Sequence, residues 1–107
     1  MTNLFDLKGK VALITGGGGL LGPKHAEAIV EYGGKVILAD WHEDRAKEKA
    51  RLINEKNEKV VAKGFYMDVT DKVSIQSVVD KHDRIDILIN NAAKDPNDVW
   101  LELVEEL

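Results

Sequence analysis

Val11-Ala12-Leu13-Ile14 runs directly into Thr15-Gly16-Gly17-Gly18-Gly19-Leu20-Leu21-Gly22, and this junction decides the fold. Four consecutive apolar residues closed by a threonine read as a strand buried on both faces. Five of the nine glycines then fall between Gly16 and Gly22. A loop so poor in Cβ atoms lets backbone N–H groups approach a phosphate, and a helix that follows adds its positive N-terminal dipole. Gly17-Gly18-Gly19-Leu20-Leu21-Gly22 fits Gly-x-Gly-x-x-Gly. In so glycine-rich a run the pattern gains its weight from context: a strand before, a helix after, and a carboxylate at the end of the next strand. Gly22 leads to Pro23 and Lys24, not to Lys and Ser/Thr, which disfavours a nucleoside-triphosphate loop. Pro23 lacks an N–H, but at the start of a helix that donor has no intrahelical partner anyway.

Away from this junction the chain alternates apolar runs with amphipathic stretches. Ala26, Ile29 and Val30 mark a helix stopped by Gly33-Gly34. Val36-Ile37-Leu38-Ala39 is a second buried strand closed by Asp40, and residues 43–57 form a charged surface helix with Ala46, Ala50 and Ile53 inward. A third strand is expected from Val60 to Met67, ending at Asp68, and a third helix from Asp71 to His82 with Ile75, Val78 and Val79 as its stripe. Ile85, Ile87, Leu88 and Ile89 read as a fourth strand closing in Asn90-Asn91-Ala92-Ala93. From about Asn97 onward, Val99, Trp100, Leu103 and Leu107 have helical spacing. The alternation predicts an α/β, Rossmann-like, doubly wound parallel sheet of about four strands in the order 3-2-1-4. Ligands of such sheets bind at the carboxyl ends of the strands, beside the switch point. The glycines, Asp40, Asp68 and the asparagines gather there.

Asp40 lies 24 residues after Gly16, at the tip of the second strand. A carboxylate there can accept hydrogen bonds from an adenosine ribose and repels a 2′-phosphate, so NAD(H) is expected over NADP(H). Trp41 follows it, rather than a basic residue that could hold that phosphate. Arg45 is near, but is expected to pair with neighbouring acids. Asp40 can also cap the charged helix.

The 107 residues hold no cysteine, 15 Lys+Arg and 19 Asp+Glu, and 44% of them are apolar. That bounds the chain to one domain, residues 1–107, of ordinary globular composition. It removes disulfide, thiolate and cysteine–metal chemistry. The three histidines, His25, His42 and His82, are scattered, and no metal site is expected. The last thirteen residues hold Asp95, Asp98, Glu102, Glu105 and Glu106 with no Lys or Arg, which accounts for the net charge of −4. No basic face suggests a nucleic-acid partner, and no apolar run is long enough for a bilayer. The N-terminus lacks the features of a signal peptide, so a cytoplasmic location is expected.

Three ordered motifs, Thr15 to Gly22, Asp68-Val69 and Asn90-Asn91-Ala92-Ala93, together resemble the short-chain dehydrogenase/reductase family, as do Leu7 to Ile14 and Arg84 to Ile89. The resemblance covers nearly the whole chain but only the N-terminal half of the family's usual domain. It implies that the loop with Gly16, Gly18, Gly19, Leu20, Leu21 and Gly22 surrounds the pyrophosphate of the cofactor. It implies further that Asp40 takes the adenosine ribose, with Trp41 beside it among the cofactor-binding residues, and that Asp68 and Val69 lie at the adenine, with Asp68 accepting from its amine. Asn91, Ala92 and Ala93 would pass close to the nicotinamide-side ribose, with the asparagines also steadying the sheet. An alternative for Asp68 is a cap for the helix starting near Asp71, with Thr70 competing.

The family's proton transfer depends on a Tyr-x-x-x-Lys pair and a serine on the following strand. Here Tyr32 is followed four residues on by Val36 and Tyr66 by Thr70, and Ser74 and Ser77 fall in the expected third helix, far from a strand end. No catalytic residue is assigned. The expectation is the cofactor-binding portion of an NAD-dependent oxidoreductase, inactive by itself. The alternatives are a non-catalytic nucleotide-binding or interaction module, or a folded remnant. An exposed fourth strand or the C-terminal apolar stripe would favour a homo-oligomer.

Overall fold

Each of the four apolar runs becomes a strand. The structure, a computed structural model, describes residues 6–19 and 21–91. The elements are β1 (Val11–Thr15), α1 (Gly22–Glu31), β2 (Lys35–Asp40), α2 (Glu43–Asn57), β3 (Ala62–Tyr66), α3 (Lys72–Val79) and β4 (Ile87–Asn90). All three pairings are parallel and the order is β3-β2-β1-β4, as the alternation predicts. The Rossmann-like expectation holds.

Alternation along the strands divides the core into two layers. Ala12, Ile14, Val36, Leu38 and Ala62 face α1 and α2 through Ala26, Ala46, Ala50 and Ile53. Leu13, Ile37, Ala39 and Met67 face the other way, onto Ile75 and Val78 of α3. Because β1 and β2 are covered on both faces, their sequences read as continuous apolar runs. Gly64 of β3 is the closest approach: a Cβ there would stand 2.5 Å from Ala46 C and Lys47 N of α2.

Helix ends follow local chemistry. Gly33 has a φ of 95°. Its N–H donates to Val30 O (2.9 Å) and that of Gly34 to Ile29 O (3.0 Å), which together make a Schellman stop. Asp71 caps α3, its Oδ1 accepting from Val73 N–H at 3.0 Å, so the cap belongs to neither Asp68 nor Thr70. Three boundaries differ from expectation. β3 begins at Ala62, where its pairing with Val36 starts, leaving Val60 outside and 65% exposed, and it ends at Tyr66. Helix α3 stops at Val79, well before His82, as Lys81 and His82 N–H turn back to Val78 O and Val79 O at 3.2 Å each. β4 begins at Ile87, with Ile85 packed on the second core layer. The expected helical stripe from Val99 to Leu107 lies outside the described residues. No helix among the described residues is long and apolar enough to cross a membrane.

Asp86 sets where β4 starts. Its N–H donates to Val11 O at 2.8 Å, and its Oδ2 accepts from Val11 N–H at 2.9 Å. The Arg84 guanidinium lies 2.6 Å from Oδ1. Arg84, and then the Val11 amide, hold the Asp86 carboxyl below the ordinary aspartate range. A depressed folded pKa adds stability above the unfolded value, and that stability is lost as pH falls through the folded one. The melting-temperature gap between wild type and Asp86→Asn should therefore be open at neutral pH and narrow below about pH 4. A gap that does not change across an acid titration followed by circular dichroism would contradict this.

Candidate functional site

The carboxyl ends of β1, β2, β3 and β4 form one rim, and the glycine loop is its centre. Gly16 has a φ of 69°, a left-handed conformation that favours glycine. A Cβ on Gly17 would stand 2.7 Å from Leu38 Cβ, and one on Gly18 would stand 2.7 Å from Arg45 Cβ. On Gly22 it would be 2.6 Å from Gly16 O and 2.7 Å from Gly17 Cα. The fold itself demands these four. Gly19 differs: its nearest neighbour would be Gly16 O at 3.4 Å, an ordinary contact. Packing within the fold therefore does not require a glycine here.

The loop is held by its own amides. Gly17 N–H donates to Ala39 O (3.1 Å), Gly19 N–H to Gly16 O (3.1 Å) and Gly18 N–H to Asp40 Oδ2 (3.0 Å). Helix α1 then starts with Leu21 at its N-cap, exposed and making no capping bond, with Pro23 in the first turn and no acid there. Among the described residues, no capping side chain or first-turn acid neutralises its amides and dipole, an arrangement suited to an anion.

Asp40 joins the loop to the next crossover. Besides Gly18 N–H, it accepts from His42 N–H through Oδ1 at 2.7 Å. The N-cap of α2 is His42, so Asp40 holds the entrance of that helix without capping it. A carboxylate offers about four lone-pair directions. Two bonds on separate oxygens leave room for two hydroxyl donors. Arg45 departs from expectation: among the described residues the ion pairs of α2 are Lys47–Glu43, Arg51–Glu48, Arg51–Glu55 and Lys56–Glu27, and none includes Arg45. Its Cβ lies along Gly18 instead, on a depression of about 440 Å³ lined also by Gly19, Asp44, Glu48 and Lys49.

The other two strand ends complete the rim. Asp68 Oδ1 takes both Thr70 N–H (2.9 Å) and Thr70 Oγ1–H (2.6 Å), while Val69 is buried at 5% exposure. Ser74 Oγ accepts from Asp68 N–H at 2.9 Å, so this helical serine reaches the end of β3 rather than lying far from it. Buried Thr15 ties β1 to β4: its Oγ1–H donates to Asn90 Oδ1 (2.8 Å) and its oxygen accepts from Asn91 N–H (3.1 Å). Asn91 Nδ2 also lies 3.5 Å from Gly16 O. Of the candidate residues, Gly16, Gly18, Gly19, Leu21, Gly22, Asp40, Trp41, Asp68, Val69 and Asn91 thus lie along this carboxyl-end rim; Leu20, Ala92 and Ala93 lie outside the described residues.

The family model for short chain dehydrogenase matches residues 10–106. The chain belongs to the short chain dehydrogenase family. Galactitol 2-dehydrogenase of Agrobacterium fabrum is 43% identical over 91 residues, covering 81% of this chain and 34% of that protein. The 15-hydroxyprostaglandin dehydrogenase (NAD(+)) of Homo sapiens is 34% identical over 98 residues, covering 88% of this chain and 37% of its own length. Among solved structures, 3-ketoacyl-(acyl-carrier-protein) reductase from Brucella melitensis, complexed with NADH, matches with a TM-score of 0.68 and 30% identity over 77% of this chain and 33% of that one. This short chain dehydrogenase chain spans between 24% and 39% of the length of such curated relatives.

Within this short chain dehydrogenase chain, the Asp68–Ser74 hydrogen bond and the packing of Arg45 on Gly18 are contacts that the sequence alone did not expose. Ser74 stands six residues after Asp68, a spacing that places a first-turn hydroxyl back over the strand end and was open to recognition.

Proposed function

We propose that the chain binds NAD(H) along this rim and is the cofactor-holding part of an oxidoreductase. One observation carries the proposal: the strand-end carboxylate of Asp40 lies 3.0 Å from the Gly18 amide, beside a helix N-terminus without a capping side chain or first-turn acid. Ribose and pyrophosphate need those two features side by side. Gly19 gives the backbone access, the first-turn amides of α1 face the phosphates, and Asp40 accepts the ribose hydroxyls. Asp68 and Val69 border the adenine, and Asn91, Ala92 and Ala93 the nicotinamide ribose. The bound dinucleotide supplies the hydride; this chain's residues bind and orient it. Neither Tyr32 nor Tyr66 is followed four residues later by a lysine, so the chain alone binds without turnover. Preference for NAD(H) rests on Asp40, with Arg45 the cation to weigh against it.

Titration of NADH fluorescence should give saturable binding, tighter than for NADPH, with no oxidation of the cofactor by added carbonyl compounds. Absence of NADH binding at millimolar concentration would overturn the proposal. Equal affinity for NADPH would overturn the preference alone.

A further inference from the structure

Two large aromatic side chains stand exposed and side by side at the carboxyl end of the sheet. Trp41 directly follows β2 and Tyr66 is the last residue of β3. They are 56% and 43% exposed. Their ring centroids are 6.0 Å apart and the planes meet at 47°. The backbone fixes this proximity: Tyr66 is the register partner of Asp40, and the next residue's N–H, that of Met67, donates to Asp40 O at 2.9 Å. Keeping this much aromatic surface in water is unfavourable unless something covers it. Asp40 directly precedes Trp41 and is the register partner of Tyr66, and Asp68 follows Tyr66 by two residues, so the pair is joined along the chain to two carboxylates that accept hydrogen bonds. A flat ring system flanked by acceptors fits a purine nucleoside, whose face stacks and whose hydroxyls and exocyclic amine donate.

We infer that Tyr66 is a positioning residue that holds the Trp41 indole as the wall on which the adenine ring of the dinucleotide stacks. The inference rests on the proposal that the chain binds a dinucleotide. An indole at a strand end that is free to rotate loses rotamer freedom when a ligand stacks on it, and that loss weakens binding. Tyr66 removes part of it beforehand. It acts through Trp41, without touching the ligand.

The chain has two tryptophans, so Trp100→Phe leaves Trp41 as the sole indole reporter. In that background, ADP should quench Trp41 emission saturably. Tyr66→Ala should weaken ADP binding roughly three- to tenfold, the range expected for an aromatic pair. Tyr66→Phe, which keeps the ring, should stay within about twofold. Inorganic pyrophosphate, which has no base to stack, should bind all three proteins alike. Equal ADP affinity in Tyr66→Ala would overturn the inference. So would a parallel loss for ADP and pyrophosphate, which marks a displaced loop. If the parent protein binds neither NADH nor ADP, the dinucleotide proposal itself fails and this inference falls with it.

Discussion

Asp40→Asn should lower NADH affinity by about 10- to 100-fold, the loss expected when hydroxyl donors exchange a charged acceptor for a neutral one. The amide keeps the shape of the side chain and one oxygen, so either Gly18 N–H or His42 N–H retains its acceptor. NADPH should lose far less, because the same substitution removes the repulsion of a 2′-phosphate while Arg45 stays beside the loop. The ratio of the two affinities is the decisive quantity, since partial unfolding lowers both together. A ratio unchanged from wild type would show that Asp40 does not face the ribose.

The second large effect separates glycines that packing compels from Gly19, which packing leaves open and the proposal assigns to the cofactor. Gly22→Ala forces a Cβ to 2.6 Å from a carbonyl oxygen, and Gly64→Ala forces one to 2.5 Å from the backbone of α2. Neither obstacle is a flexible side-chain end that could swing away. Each should cost about 1–3 kcal/mol, as overpacking of a tight contact does. In a domain of this size that lowers the melting temperature by roughly 4–8 °C per kcal/mol. Gly19→Ala meets only a 3.4 Å contact and should stay within about 0.5 kcal/mol of wild type, yet lose NADH affinity because a methyl group intrudes where a phosphate approaches. Thermal melts and NADH titrations on the three variants check the pattern. A Gly19→Ala protein that binds normally, or a Gly22→Ala protein that melts normally, would break it.

The sheet was readable because its strands are buried twice over: Val11 to Ile14 and Val36 to Ala39 have no polar face to confuse the pattern. The edges were harder. Val60 looks like a strand residue, yet it is exposed and stands two residues before the β2–β3 pairing begins at Ala62. The end of α3 depended on i-to-i+3 turns at Lys81 and His82 that no local sequence signal marks. In the candidate site, the order of glycines, carboxylates and asparagines could be read from spacing. Which glycines are compelled by packing could not, because Leu38, Arg45 and Ala46 approach from elements distant in sequence. The same holds for Trp41 and Tyr66, 25 positions apart in the sequence and joined only through the β2–β3 register.

The Thr15 hydroxyl has a consequence for the order in which the molecule is made. Its two partners stand 75 and 76 positions downstream, so the turn at Gly16 gains this tie only after nearly every described residue has been synthesised. Closing so long a stretch of chain carries an entropic cost that is repaid only when β4 docks. The β1–β4 corner of the rim is therefore expected to close late in folding, and a ligand that gripped it would act as a clasp across those two strands. Such a ligand should slow the exchange of the Asn91 amide hydrogen in proportion to its occupancy.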